Sequence, residues 1–510
     1  MPATARTNRS SAVRFIKWAF GVSLILVLIQ ILLGGDPLIL LLCLLTEAVC
    51  VVPIYLYGLG RTVGILYIGI WLAFSFSALL AKTILLQPLD SNLFNPLLSF
   101  CIALVGSVAF TTAAVAAYCV KPLQRNQISI EEDPSILSIL AGGFFLVGLL
   151  SFVISISSLS NSLISNISNQ FSVYIEFAFA CEIASTVIRT NRRRMLSAFG
   201  CVIGLFILYA SISGNSKSGV LLVGLAYFLC MAAFKVRVKW PIVITGVLAL
   251  IFLSEIVFPA IHIVRGYRNR LNPVEVSLLT SKTIGDLLIG DKETLAIKDN
   301  LTVLDTASAS AGGYQNVYFG SQQIWLDRFT DIGFIDAVAR RLDFNGPFLG
   351  PESVLDQTMN FLPQQLSPGK TTTFHVASGD KITKALGLSS NEQNTFVTVT
   401  FPLELFSAGG FWMILAVGVP VIFLMLVEIN FLAFSFSRNV WSISLLLTYG
   451  MLFYANTYDM FIFSEVRQIP MNFAVSMGLI LFAGLLRSGT RRGAFLRPSL
   501  SQFRRSGADG

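Results

Sequence analysis

Three arginines, Arg265, Arg268 and Arg270, fall close together in the run HIVRGYRNRLNP. A guanidinium fork meets phosphate oxygens with two parallel hydrogen bonds. A triplet at this spacing therefore suits a diphosphate, and a lipid-linked pyrophosphate if the run lies at a membrane surface. A second cationic feature is the turn Ser213-Gly214-Asn215-Ser216-Lys217-Ser218-Gly219. Its small residues let backbone N–H groups approach a ligand, and Lys217 is its single charge. It lacks the pattern of a P-loop. Arg328, Arg340, Arg341 and Lys370 form a third set. The two histidines, His262 and His375, are the imidazoles available as a base near neutral pH, with His375 the preferred candidate. No zinc motif, clustered aspartate pair or Cys/His set is present, so the expectation is chemistry without a metal and without a cofactor.

Each feature also has a purely structural reading. Arginines at a helix end can anchor in lipid headgroups with their stems in the hydrocarbon. Positive charge is disfavoured on the outer side of a membrane, however, so three together there ask for a role. Arg340 and Arg341 can be solvated partners of Asp327, Asp331 and Asp336, with Asp336 and Arg340 one helical turn apart. Lone histidines are commonly structural, and SGNSKSG can be a bare turn. Four acids, Glu47, Glu176, Glu182 and Glu255, fall within apolar segments, where an ionisable group costs about 2.5–3.5 kcal/mol on insertion scales. Proton coupling through them would be a transporter's chemistry.

The elements that must hold these residues are hydrophobic. The 510 residues are 54% hydrophobic and 13% charged, with a mean hydropathy of +0.73. That composition needs lipid as solvent. Apolar runs at 15–33, 37–57, 62–82, 96–119, 135–157, 171–189, 195–213, 218–235, 240–260, 411–432, 440–456 and 468–487 predict an all-α integral membrane protein of about twelve spans. The expected organisation is a first bundle of about nine helices over 1–260, a large and mainly helical outer loop over 261–405, a last group of three helices over 406–490, and a basic tail over 491–510. The first span is expected to be retained rather than cleaved, since no small-residue cleavage pattern follows Leu33. The net charge of +8 lies in short clusters between apolar runs, which argues for topology and against nucleic acid. With the N-terminus inside, 21 Lys and Arg fall on the inner side and 3 in short outer loops, the other 12 lying in 261–405. The positive-inside rule then places both termini in the cytoplasm and 261–405 outside. The seven cysteines lie in or beside apolar segments and read as packing residues.

The stretch 261–405 holds 15 Asp and Glu. From Tyr318 to Phe344, apolar residues recur at helical spacing, which predicts a helix there and a shorter one near 352–361, separated by Gly346-Pro347 and Gly350-Pro351. Unpunctuated loops of this length are uncommon without function.

The order of these features resembles the oligosaccharide repeat-unit polymerases, the Wzy-type enzymes of O-antigen and exopolysaccharide synthesis. The resemblance is carried by Arg328-Phe329-Thr330 through Phe361-Leu362-Pro363, by Ser367-Pro368-Gly369-Lys370, by Asn394-Thr395-Phe396 with Pro402-Leu403-Glu404-Leu405-Phe406 and Gly409-Gly410, and by SGNSKSG. Gln364 and Lys217 stand where arginines are usual in that family. The resemblance implies metal-independent glycosyl transfer in a bacterial inner membrane: a growing glycan leaves its undecaprenyl-pyrophosphate carrier for a hydroxyl of the next lipid-linked unit. Arg265, Arg268, Arg270, Lys217 and Lys370 would bind the pyrophosphate. Arg265 and Arg328 would stabilise the departing charge, and His375 or a loop carboxylate would act as base. The implied partners are the lipid-linked glycan, membrane lipid, a flippase and a chain-length regulator, with no nucleic acid. An O-antigen ligase would share these charges. A lipid-linked oligosaccharide flippase or other transporter would share the helices, although nine spans before the loop and three after it do not make two matching halves.

Overall fold

Three helix starts in this chain share one device. Asp36, Asn95 and Asp133 each precede a proline that opens a helix, and each side-chain oxygen accepts a backbone N–H of the first turn, from Leu38, Leu98 and Ser135 respectively. The proline has no N–H to leave orphaned, and the Asx oxygen satisfies one that remains.

The computed structural model describes residues 3–120, 133–156, 173–213, 217–237, 240–264, 273–295, 318–319, 330–345, 348–355, 400–436 and 440–455, with residue 297 and scattered positions over 462–485. The helices are α1 (Ala3–Leu32), α2 (Pro37–Tyr57), α3 (Thr62–Ile84), α4 (Pro96–Cys119), α5 (Pro134–Ile156), α6 (Val173–Arg189), α7 (Ala198–Ser213) and α8 (Lys217–Ala233). Then come α9, which runs from Trp240–Phe252 through a π-helical turn at Leu253–Val257 into Phe258–Val264, and α10 (Pro273–Ile289), α11 (Ile332–Asn345), α12 (Phe401–Gly409), α13 (Phe411–Ala433) and α14 (Val440–Ala455). No strand occurs among the described residues. Among the described residues, α1 to α5 and α13 are the six helices long and apolar enough to cross a bilayer. Their outward faces carry exposed leucines and isoleucines, such as Leu28 and Leu32, as lipid-facing surfaces do. The chain is a membrane-embedded all-α protein. Of the remaining expected spans, those near 171–260 and 440–456 are shorter or interrupted helices, and 468–487 falls largely outside the described residues.

Side-chain bonds fix which helix ends share a side. Gln30 near the end of α1 donates to the Thr83 hydroxyl and to the Gln87 carbonyl just past α3. Asp36 and Asp90 are joined by a backbone N–H to carboxylate bond. The C-termini of α1 and α3 and the N-termini of α2 and α4 therefore lie together, at what is called here the loop end. At the opposite end the Arg61 guanidinium lies over the rings of Phe434 (4.1 Å) and Tyr118 (5.6 Å). Thr62 donates there to the Ala433 carbonyl.

Close packing needs small residues where backbones meet. A Cβ on Gly64 would sit 2.1 Å from the Gly58 carbonyl oxygen, and one on Gly106 would sit 3.1 Å from the Pro402 ring. The latter contact, with Phe110 against Phe401 at 6.2 Å, places the N-terminus of α12 beside the middle of α4. From there α12 climbs to the loop end, where Ser407 accepts the Leu349 N–H and Gly410 (φ +75°) turns the chain into α13. α12 and α13 thus make a hairpin whose first arm is short and buried from Phe401 to Ala408.

Candidate functional site

Lysine is the least expected side chain inside this bundle, and Lys82, in the last turn of α3, is completely buried. Its ammonium donates to Gln87 Oε1 (3.1 Å), to the Ser91 carbonyl (2.9 Å) and to Ser91 Oγ (2.9 Å). It also lies 4.2 Å from the ring centre of Tyr318 and 5.7 Å from that of Phe319. Three charge-assisted bonds and an aromatic face are what a buried ammonium needs to offset desolvation. The Tyr318 hydroxyl donates to the Leu89 carbonyl, and Asn92 and Gln87 donate to the carbonyls of Tyr318 and Phe319. Burial among these groups pushes the Tyr318 phenol well up from its ordinary range. Residues 318–319 form a turn seated on the loop end, not the start of the helix that periodicity suggests.

Within that stretch the described helix begins at Ile332, as α11, directly after Thr330 and Asp331, while 320–329 lie outside the described residues. Asp336 is buried and accepts the Phe94 N–H and the Asn95 N–H, each at 2.8 Å, together with the Ser99 hydroxyl at 3.1 Å. It caps α4 across the interface instead of pairing with Arg340. The Arg340 guanidinium lies 5.2 Å from the centre of the Phe94 ring. One carboxylate is thus aimed at a helix N-terminus, where negative charge is favoured. Just before α11, Asp331 is half-buried. Its Oδ2 is enclosed and has no hydrogen-bond partner among the described residues. Burial pushes this carboxyl up to about 8.

The helices that flank two of the other expected cationic runs come together at a different corner. Val220, Val257 and Ile261 form one apolar cluster with Leu208, Leu253, Phe258 and Ile284 around them. The last turns of α9 therefore lie beside the start of α8. Lys217 opens α8, three residues before Val220, and the Arg265–Arg270 run follows directly on Val264. The side chain of Lys217 and the residues Arg265, Arg268, Arg270, Arg328, Lys370 and His375 lie outside the described residues, as does the side chain of His262. Of the predicted short helix at 352–361, residues 352–355 are helical and the rest is likewise outside.

The acids separate by environment. Glu182 accepts from the Ser197 hydroxyl (2.6 Å), which itself accepts the Gly200 N–H, so it supports the start of α7. Glu255 sits in the π-helical turn of α9 with its side chain exposed. Glu47 is wholly buried between helices. Lys82, Asp331 and Asp336 are the residues that sequence reasoning missed as a set. Lys82 falls within the last turn of a long apolar run, which is a usable signal, but a charge there looks like the end of the span.

No protein-family model, no curated protein and no solved structure matches the chain.

Proposed function

We propose that the chain polymerises undecaprenyl-pyrophosphate-linked oligosaccharide repeat units on the outer face of a bacterial cytoplasmic membrane. The observation that carries this reading is the corner where α9 ends beside the start of α8. It brings the backbone bearing Lys217 and the backbone leading into Arg265, Arg268 and Arg270 to one place at the ends of membrane helices. A lipid-linked pyrophosphate presents its charge at that level, with its tail in the hydrocarbon. Cations gathered there would stabilise the pyrophosphate as it departs from the glycan's anomeric carbon. A base then takes the proton of the attacking hydroxyl. His375 remains the sequence candidate for this role, with a loop carboxylate as the other. Arg328 and Lys370 would complete the charge around the leaving group.

The test is deletion of the gene in its host, followed by sizing of the surface glycan. Single repeat units, exported and capped but never extended, are the expected product. Absence of every outward-facing unit would mean a flippase, and full-length chains left unattached to their final acceptor would mean a ligase. Complementation with Arg265→Glu should then fail to restore long chains. Normal chain lengths from that variant would remove Arg265 from the site.

A further inference from the structure

Between α6 and α7 the chain reverses through a constrained turn that carries three arginines in a row, Arg192, Arg193 and Arg194. The Arg192 N–H bonds the Val187 carbonyl at 2.8 Å and the Asn191 N–H bonds the Ile188 carbonyl at 3.2 Å, the two-bond stop of a Schellman motif. Thr190 pins the other side. Its hydroxyl accepts the Arg194 N–H at 3.1 Å, and its carbonyl accepts the Arg193 N–H at 3.1 Å. Asn191 (φ +48°) and Arg192 (φ +65°) are both left-handed. Asparagine tolerates that region and arginine rarely enters it, so the turn holds Arg192 where its own preference would not. Arg189 fastens the whole to the start of α5, by donating to the Pro134 carbonyl at 3.3 Å.

All three arginines of the turn are exposed, and their side chains make no hydrogen bond or ion pair among the described residues. Two described acids share this end of the helices. Glu182 is taken up by the Ser197 hydroxyl, and Asp133 caps α5. The charge left facing outward is positive.

The height of the turn follows from Glu182. Ser197 donates to it at 2.6 Å, and a Cβ on Gly200 would lie 3.5 Å from its Cγ, so α7 starts level with Glu182. α6 continues seven residues further to Arg189, about 10 Å past that level. From Cys201 onward, α7 exposes Cys201, Val202, Leu205 and Tyr209 at helical spacing, an apolar face that needs hydrocarbon against it. The headgroup layer adds about 5–8 Å beyond the hydrocarbon on each side of a bilayer. The turn therefore lies at the outer edge of the layer that holds lipid phosphates, and arginine side chains can reach back into it.

Guanidinium forks match phosphate oxygens. A soluble anion would use the arginines and leave the face of α7 without a role, whereas a phospholipid uses both. We propose that Arg192, Arg193 and Arg194 form a headgroup site for an anionic phospholipid, one acyl chain of which lies along the exposed face of α7. None of these residues belongs to the cationic runs of the polymerase reading, so the two stand or fall separately.

The test is native mass spectrometry of the full chain in detergent, titrated with phosphatidylglycerol and with phosphatidylcholine of the same acyl chains. Phosphatidylglycerol should bind severalfold more tightly, and Arg192→Gln with Arg193→Gln and Arg194→Gln should remove that preference. Thr190→Val keeps every charge but frees Arg194, and it should weaken the preference in part. Arg14→Gln with Lys17→Gln, on α1, should leave it intact. An unchanged preference in the triple variant would overturn the proposal, and so would an equal loss in the α1 variant, which would mean a net-charge effect. Displacement of the lipid by glycerol 3-phosphate at matched ionic strength would overturn it in favour of a soluble phosphate. A severalfold gain in lipid binding from Glu131→Gln with Glu132→Gln would overturn it in favour of the chain's own acids as the partner.

Discussion

Asp336→Ala offers the sharpest test of how the polar 261–405 stretch is held to the membrane helices. The carboxylate serves two backbone amides at 2.8 Å and one hydroxyl at 3.1 Å, and all three donors belong to the start of α4 or the residues just before it. A hydrogen bond to a charged group contributes about 1.5–3 kcal/mol, and removing one partner leaves the others unsatisfied. The amides lie at the loop end, where water can replace part of what is lost, so the net cost is about 3 kcal/mol rather than the full sum. That corresponds to roughly a hundredfold change in the equilibrium between docked and undocked α11. Hydrogen exchange of the Phe94 and Asn95 amides reads this equilibrium directly, because these amides are the donors. Their protection should fall by about two orders of magnitude in Asp336→Ala. Asp336→Asn, which keeps one acceptor but turns a donor toward a second N–H, should fall in between. The Leu98 amide is an internal control, since Asn95 caps it independently. Unchanged protection of Phe94 and Asn95 in a folded Asp336→Ala protein would refute the docking argument.

Other expectations concern packing, charge and pH. Gly64→Ala should lower the melting temperature of the purified protein sharply, since its Cβ would overlap the Gly58 carbonyl at 2.1 Å, whereas Gly69→Ala, with open space around it, should leave it nearly unchanged. Lys82→Met removes the donor for Gln87 and Ser91 and the cation over Tyr318. It should expose the 318–319 turn to protease at a cost of about 2 kcal/mol. Asp331 has a folded pKa of about 8, above its unfolded value, so the folded state binds the extra proton between about pH 4 and 8. Packing at the head of α11 should therefore weaken as pH rises through that window, and Asp331→Asn should abolish the trend in proteolysis or exchange rates measured across it.

The membrane helices were legible because their signals are local. Apolar runs of sufficient length set α1 to α5 and α13, and the Asx-Pro pairs at 36–37, 95–96 and 133–134 announce three of their starts. What failed to show in the sequence depends on partners distant along the chain. Periodicity extends the α11 helix back to Tyr318, but a buried ammonium and the Leu89 carbonyl draw Tyr318 into a turn. Asp336 and Arg340 are correctly spaced for an ion pair. The amides of Phe94 and Asn95 are the better partners, because they are fixed, convergent and at a helix N-terminus. Lys82 carried a misleading signal, since hydropathy treats any lysine as an exit from the bilayer. The cationic runs were legible as composition, and what the apolar cluster adds is that the start of α8 and the end of α9, which flank them, lie together.

These contacts also bear on how the polar stretch can work. Its described meetings with the membrane helices include Ile284 of α10 on the α8–α9 cluster, the Tyr318–Phe319 turn on Lys82, Asp336 on the start of α4, and α12 against Gly106 and Phe110 midway down α4. The last of these carries the stretch down into the bundle before Gly410 turns it into α13. Elements fixed at the surface and at depth, α11 and α12, are built into the bundle, and groups mounted on them inherit the rigidity of the helices. A substrate with a lipid tail would meet that segment from the side, with apolar helix faces along the tail and docked polar groups above it. If the chain polymerises glycan as proposed, undocking α11 by Asp336→Ala should lower glycan chain length in cells, although the Asp336 carboxylate is engaged by the start of α4. A defect in chain length that tracks amide protection across Asp336→Ala and Asp336→Asn would separate positioning from chemistry. A polymer of normal length in the undocked variant would mean that α11 takes no part in holding the site.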